Sequence, residues 1–163
     1  MAEAAIGLGA NLGDRRANIE WACDKLSALP GTRMTRRSAL YETPPWGDLD
    51  QSAFINACLL IETQIQPEDL LQHCLAIEQE MGRVRTRHWG PRLIDIDLLW
   101  LDDHQVSSPT LTLPHPEIQN RAFVLVPLNE IAPDKVINAA SRSLTVTQWL
   151  AETDARSIKR LDN

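Results

Sequence analysis

Hydrophobic and polar positions change their period several times along the chain, and each change marks an element. The first apolar run, Ala4 to Leu8 in AEAAIGLGANLGD, has the length of a strand and ends among glycines. Asp14 then stands where a helix N-cap belongs, and Ile19, Ala22, Leu26 and Leu29 recur at spacings of three and four. They predict a helix of about 15 residues, stopped by Pro30-Gly31. Met34 to Tyr41 predicts a second strand, the loop ETPPWGDLDQS follows, and Phe54 to Glu62 predicts a third. Pro67 suits the first turn of a second helix and Gly82 its C-terminal cap. Leu70, Leu71, Cys74, Ile77 and Met81 give that helix its apolar stripe. Leu93 to Leu101 predicts a fourth strand that turns at Asp102-Asp103. After the loop segment LPHPEIQNR comes the apolar run AFVLVPL, and Val146 to Glu152 predicts a last short helix.

The order β-α-β-β-α-β is the split-βαβ, ferredoxin-like pattern, here with additions at the C-terminal end. The expected class is α+β, an antiparallel sheet with helices packed on one face. The other face is expected to be free for ligands and long loops. No internal repeat, low-complexity tract or linker interrupts the chain, so residues 1–163 read as one domain.

Composition narrows the function classes. Apolar residues make up 44% of the chain, enough for a core, and the formal charge is -6 with a pI near 5.2. An acidic balance argues against a general nucleic-acid binder but leaves room for a local cationic site. Cys23, Cys58 and Cys74 are an odd set without CxxC spacing, which reads as buried thiols in a reducing compartment. The N-terminal stretch lacks the basic and apolar regions of a signal peptide, and no apolar run approaches the roughly 20 residues of a membrane span. The expectation is a cytoplasmic protein with no membrane partner.

The candidate chemistry starts in HWGPRLIDIDLLW. Strand side chains alternate faces, so Asp95 and Asp97 point one way while Ile94, Ile96 and Leu98 point into a core. Two residues of strand rise place the carboxylates roughly 6–7 Å apart at the backbone. Their repulsion is relieved by a hard cation such as Mg²⁺, which is usually held by one or two carboxylates plus substrate phosphates. The alternative at this point is an exposed strand face with unpaired acids. Arg83, Arg85, Arg87, His88 and Arg92 precede the pair in GRVRTRHWGPR, with no acid among them. Guanidinium forks match phosphate oxygens, so a polyphosphate with its Mg²⁺ is the ligand such a run suits. Trp89 either stacks on a base or holds the loop down. There is no GxxxxGK(S/T) phosphate loop, and in GLGANLG the third glycine, Gly13, is one position too late for GxGxxG. Those glycines read as a tight strand-to-helix turn. In YETPPWGDLDQSAFINA, Trp46, Phe54 and Asn56 suit stacking on a flat heterocycle and bonding its edge, with Phe54 as plain core the alternative. His115 and Arg121 add anion contacts and Phe123 a second aromatic.

Taken together, His88-Trp89-Gly90-Pro91-Arg92 and Asp95-Ile96-Asp97-Leu98-Leu99 closely resemble the signature of the 6-hydroxymethyl-7,8-dihydropterin pyrophosphokinase family. IGLGANLGD, YETPPWG, QSAFINA, IEQEMGRVR, LPHP and NRAFVLVPLNEIAP fall in that family's order and spacing. The resemblance implies transfer of pyrophosphate from ATP to the pterin hydroxymethyl oxygen, with AMP released and two Mg²⁺ ions used. It implies metal ligands at Asp95 and Asp97, and phosphate contacts at Arg83 and Arg92 with Arg121 and His115. Glu78, Arg85 and Trp89 fall near the nucleotide. Thr43, Pro44, Trp46, Phe54, Asn56 and Phe123 form the pterin pocket, the two Phe rings sandwiching the heterocycle. It also implies a monomer that takes ATP and the pterin as partners and no nucleic acid. Thr110 stands where some members have an arginine, and the loop Thr86-Arg87-His88 is a residue shorter than in some members and carries no lysine. The two Gly/Pro-rich loops are expected to close over the substrates. Two rivals remain, a different Mg-dependent nucleotide transferase and a ferredoxin-like ligand- or RNA-binding module. The acidic charge and the Asp pair count against the RNA binder, and the pterin-type loop against the other transferase.

Overall fold

A computed structural model describes residues 1–44, 52–82 and 93–161. Its frame is β1 (Ala2–Ala10), α1 (Arg15–Ser27), β2 (Thr32–Arg37), β3 (Tyr41–Thr43), β4 (Phe54–Thr63), α2 (Pro67–Glu80) and β5 (Asp95–Leu101). Behind it come the short pair β6 (Val106–Ser107) and β7 (Thr112–Leu113), a 3-10 turn (Ile118–Asn120) and α3 (Ala122–Ile131). The chain closes with the hairpin β8 (Val136–Ala139) and β9 (Arg142–Thr145), α4 (Val146–Ala151) and β10 (Lys159–Arg160). The main sheet runs β10-β3-β4-β1-β5, with β2 also on β4, and every ladder is antiparallel. This is the ferredoxin-like arrangement the element order predicts.

The caps follow the sequence. The Asp14 carboxylate accepts from Ala17 N at 3.0 Å, Pro67 opens α2, and Gly82 takes φ 83 just past its end. Ile19, Ala22 and Leu26 of α1 and Leu70, Cys74 and Ile77 of α2 pack on Ile6, Leu8, Leu59, Ile61, Ile96 and Leu98 of the sheet. All three cysteines are free and buried, and burial pushes the Cys23 and Cys74 thiols up to about 11 and 12.

Two expectations need correction. The single strand over Met34 to Tyr41 is two strands, β2 on the C-terminal half of β4 and β3 on its N-terminal half. At the break Ser38 donates its N–H to Cys58 O and accepts Cys58 N–H on its side-chain Oγ, each at 2.9 Å. A side-chain hydroxyl thus replaces a backbone carbonyl, and the strand turns away for three residues. The second face of the sheet is not free over its whole length either. The run AFVLVPL folds as α3, and Val124, Leu125, Leu128 and Ile131 pack with Ile137, Val146 and Trp149 against Ala5, Cys58, Leu60, Leu99 and Trp100. A register slip in β5 helps: Ala5 faces Trp100 and Ile6 faces Leu98, so Leu99 is the extra residue. Leu99 and Trp100 therefore both reach this second core.

Candidate active site

On the second face, beyond the first turn of α3, the cross-strand pairs form two rows. Tyr41 faces Asn56, Asn56 faces Gly9, and Gly9 faces Asp95. One step along, Cys58 faces Gly7 and Gly7 faces Asp97. Directly paired residues share a face. The two aspartates of β5 and the amide of Asn56 on β4 therefore look out on the same side, separated by a strand that carries only hydrogen at both positions. This corrects the reading of the glycines. Gly7 and Gly9 lie inside β1, and only Gly13, at φ 65, serves the strand-to-helix turn.

Each wall has a fixed origin. Asn56, 7% exposed, donates from Nδ2 to Thr43 Oγ1 at 2.9 Å. Pro44 follows Thr43 at the exposed end of β3, and half-buried Phe54 pairs with Thr43. Opposite them, α3 starts with Arg121 as its N-cap and Phe123 in its first turn. The Arg121 guanidinium lies 5.8 Å from the Phe123 ring centre and 3.8 Å from Asp97 Oδ2. His115 is anchored by its own N–H to Leu99 O at 2.8 Å, and its Nδ1 accepts Glu117 N–H at 3.1 Å. With Nδ1 an acceptor, the neutral ring carries its proton on Nε2. Burial above all, and then Arg121, lower the His115 pKa against the pull of Glu117 and Asp95.

Glu78 lies behind this face. It is 2% exposed, and its Oε2 accepts the backbone N–H of Ile96 at 2.7 Å. Ile96 is the residue between the two aspartates, so a carboxylate on α2 fixes their strand from the side. The Thr110 hydroxyl lies 3.1 Å from Glu68 Oε2 at the start of α2. Trp46, Arg83, Arg85, Trp89 and Arg92 lie outside the described residues, as do the greater part of both loops expected to close.

Three contributors escape sequence reasoning. Gly9 is the floor between Asp95 and Asn56; its signal was a glycine two positions inside an apolar run. Glu130 on α3 takes Ala39 N–H on Oε1 and Oε2 at 3.0 and 3.1 Å and Tyr41 Oη at 2.7 Å. That carboxylate ties the helix bearing Arg121 and Phe123 to the strand bearing Thr43. Arg15 donates to Ala53 O at 2.8 Å, holding the approach to Phe54.

Among the described residues no three His, Cys, Asp or Glu side chains converge as a metal cage. The donor set is two hard carboxylates on one face, which suits Mg²⁺ completed by substrate oxygens.

Comparison with known proteins agrees with this geometry. The family model for 7,8-dihydro-6-hydroxymethylpterin-pyrophosphokinase (HPPK) matches residues 5–133. The chain belongs to this family. A 2-amino-4-hydroxy-6-hydroxymethyldihydropteridine pyrophosphokinase of Methylorubrum extorquens is 51% identical over 162 residues, covering 99% of this chain and 100% of the relative. One from Synechocystis is 39% identical, over 95% of this chain and 78% of the relative. Among solved structures, an HPPK-DHPS in complex with substrates superimposes with a TM-score of 0.74 at 14% identity, over 98% of this chain and 46% of that one. Plasmodium falciparum HPPK-DHPS with pterin and p-hydroxybenzoate gives 0.71 at 17%, over 93% and 41%. At those identities the likeness establishes the fold, and this chain spans less than half of each of those two chains.

Proposed function

We infer that this pyrophosphokinase moves the pyrophosphoryl group of ATP to the hydroxymethyl oxygen of 6-hydroxymethyl-7,8-dihydropterin in folate biosynthesis. The observation that carries the reading from geometry is the meeting, on one face, of the Asp95–Asp97 pair with the Asn56 amide and its Thr43 hydroxyl partner across the Gly7 and Gly9 positions of β1. A bond forms between the pterin oxygen and the β-phosphorus, the bond from that phosphorus to the α-phosphate oxygen breaks, AMP leaves, and the hydroxyl loses its proton.

Asp95 and Asp97 would hold two Mg²⁺ ions, which supply charge neutralisation on the triphosphate and activation of the attacking oxygen. The remaining work is positioning. Arg121 and the Nε2–H of His115 donate to phosphate oxygens; Arg83, Arg85 and Arg92 do so on the strength of their motif, with Trp89 against the base. Glu78 acts on the nucleotide site through Ile96, because its carboxylate is buried against β5. Phe54 and Phe123 flank the pterin, and Thr43, Pro44 and Trp46 complete its pocket. Asn56 spends one donor on Thr43 and keeps a second N–H and its Oδ1 for the amide edge of the ring. The reading includes a cytoplasmic monomer that binds no nucleic acid and no membrane; no helix among the described residues is long and apolar enough to cross one.

The test is AMP formation from Mg·ATP, with and without the pterin, in wild type and Asp97→Ala. Pterin-dependent AMP should fall about 100-fold or more in the variant, because several kcal/mol of charge stabilisation go with the carboxylate. ADP or free pyrophosphate in place of AMP would assign a different transfer.

A further inference from the structure

We propose that Gly9 is a positioning residue for pterin recognition, setting the aim of Asn56 by the absence of a side chain; this rests on Asn56 as the reader of the pterin edge. Gly9 is paired across the site with Asn56 on β4 and Asp95 on β5. A Cβ built on it would stand 2.8 Å from Asn56 Oδ1, 3.6 Å from Phe54 Cδ1 and 3.9 Å from Asn56 Cγ. The first distance is a clash and the others are ordinary contacts. The Asn56 side chain has little freedom to retreat, since it is 7% exposed and its Nδ2 is bonded to Thr43 Oγ1 at 2.9 Å. A methyl at position 9 must therefore displace the amide oxygen, the Thr43 bond, or both.

The backbone does not account for this glycine. Gly9 lies within β1 and has no positive φ, unlike Gly13, Gly31 and Gly82, so alanine can take its conformation. Gly7, two residues back on the same face, gives the contrast. The three atoms nearest a Cβ there are Leu99 side-chain carbons, at 3.7 to 3.9 Å, ordinary van der Waals contacts. The steric demand for glycine is local to the Asn56 row. Its consequence is selective, because the methyl acts on the amide that aligns the heterocycle and not on the carboxylates that face the triphosphate.

The experiment is a double-mutant cycle on the full chain, read by pterin binding through fluorescence, binding of a Mg·ATP analogue, steady-state kinetics and thermal unfolding. Gly9→Ala should weaken pterin binding tenfold or more while the ATP analogue binds within about twofold of wild type. The same change made in Asn56→Ala, where the clashing oxygen is gone, should cost less than about twofold further. An equal loss in both backgrounds, or no loss in either, would overturn the role of Gly9. If Asn56→Ala alone weakens pterin binding, the reading of Asn56 stands whichever way the cycle falls. If it does not, that reading fails, and the proposal with it. A fall in binding of both ligands with a large drop in melting temperature would show a purely structural glycine.

Discussion

The His115 environment favours a neutral imidazole with its proton on Nε2. The Glu117 N–H occupies Nδ1, and burial with the Arg121 charge makes the imidazolium costly. The folded-state pKa therefore lies below the unfolded value of about 6.5. In the window between the two, the unfolded chain binds more protons than the folded one, so stability rises with pH there and is lost as pH falls through it. Thermal unfolding of the ligand-free enzyme at a series of pH values should show that slope below about 6.5, and His115→Gln should flatten it. An unchanged slope in the variant would assign the acid sensitivity to other groups. From sequence, His115 was one histidine between two prolines, a candidate anion contact to which the family pattern gave the phosphates as partner. That Asp95 and Asp97 share one face of a strand was legible from alternation alone, and the pairing of β1 with β5 bears that out. Asn56 lay between: the residue type was readable, but the Thr43 hydroxyl and the bare strand beside it required the register.

The elements were legible where period and caps agreed, as in α1, α2, β4 and β5, and obscure where a distant group decided. The break between β2 and β3 depends on the Ser38 hydroxyl and on Glu130, 91 residues beyond Ala39. The α3 stripe of Val124, Leu125, Leu128 and Ile131 has helical spacing, but Pro127 lies within it and the run is short. A comparable long-range contact governs β5, the edge strand of the main sheet path. There Glu78 Oε2 satisfies the N–H of Ile96 between the two aspartates. Glu78→Ala strands a buried donor, which costs about 1–3 kcal/mol, more where charge is involved. The loss should appear in denaturant unfolding and, more pointedly, as faster hydrogen exchange at the Ile96 amide. Activity should fall with it, since Asp95 and Asp97, the proposed metal ligands, ride on that strand. Retained Ile96 protection in the variant would mean that the strand holds its place without the carboxylate.

At the scale of the molecule, one sheet serves two cores, and consecutive residues of β4 show it: Leu59 packs under α1 and α2, Leu60 under α3. The family match ends at residue 133, yet the second core draws on Ile137, Val146 and Trp149 beyond it. These residues form the outer layer against α3, the helix whose first turn presents Arg121 and Phe123. Trp149 is the keystone, 5% exposed, with its indole N–H donating to Ile137 O at 2.9 Å and the Arg142 guanidinium 5.3 Å from its ring. Trp149→Ala should cost about 3–5 kcal/mol, the range for removing a large buried aromatic. Because both cores share the strands between them, that loss should lower one cooperative transition, with far-UV and near-UV signals still coincident. Separate transitions would show that the second core folds on its own and that α3 can loosen while the sheet persists. Under conditions where the variant remains folded, pterin binding should weaken more than binding of a Mg·ATP analogue. Phe123 reaches its place only through α3, whereas Asp95 and Asp97 stand on a strand pinned from the opposite side by Glu78.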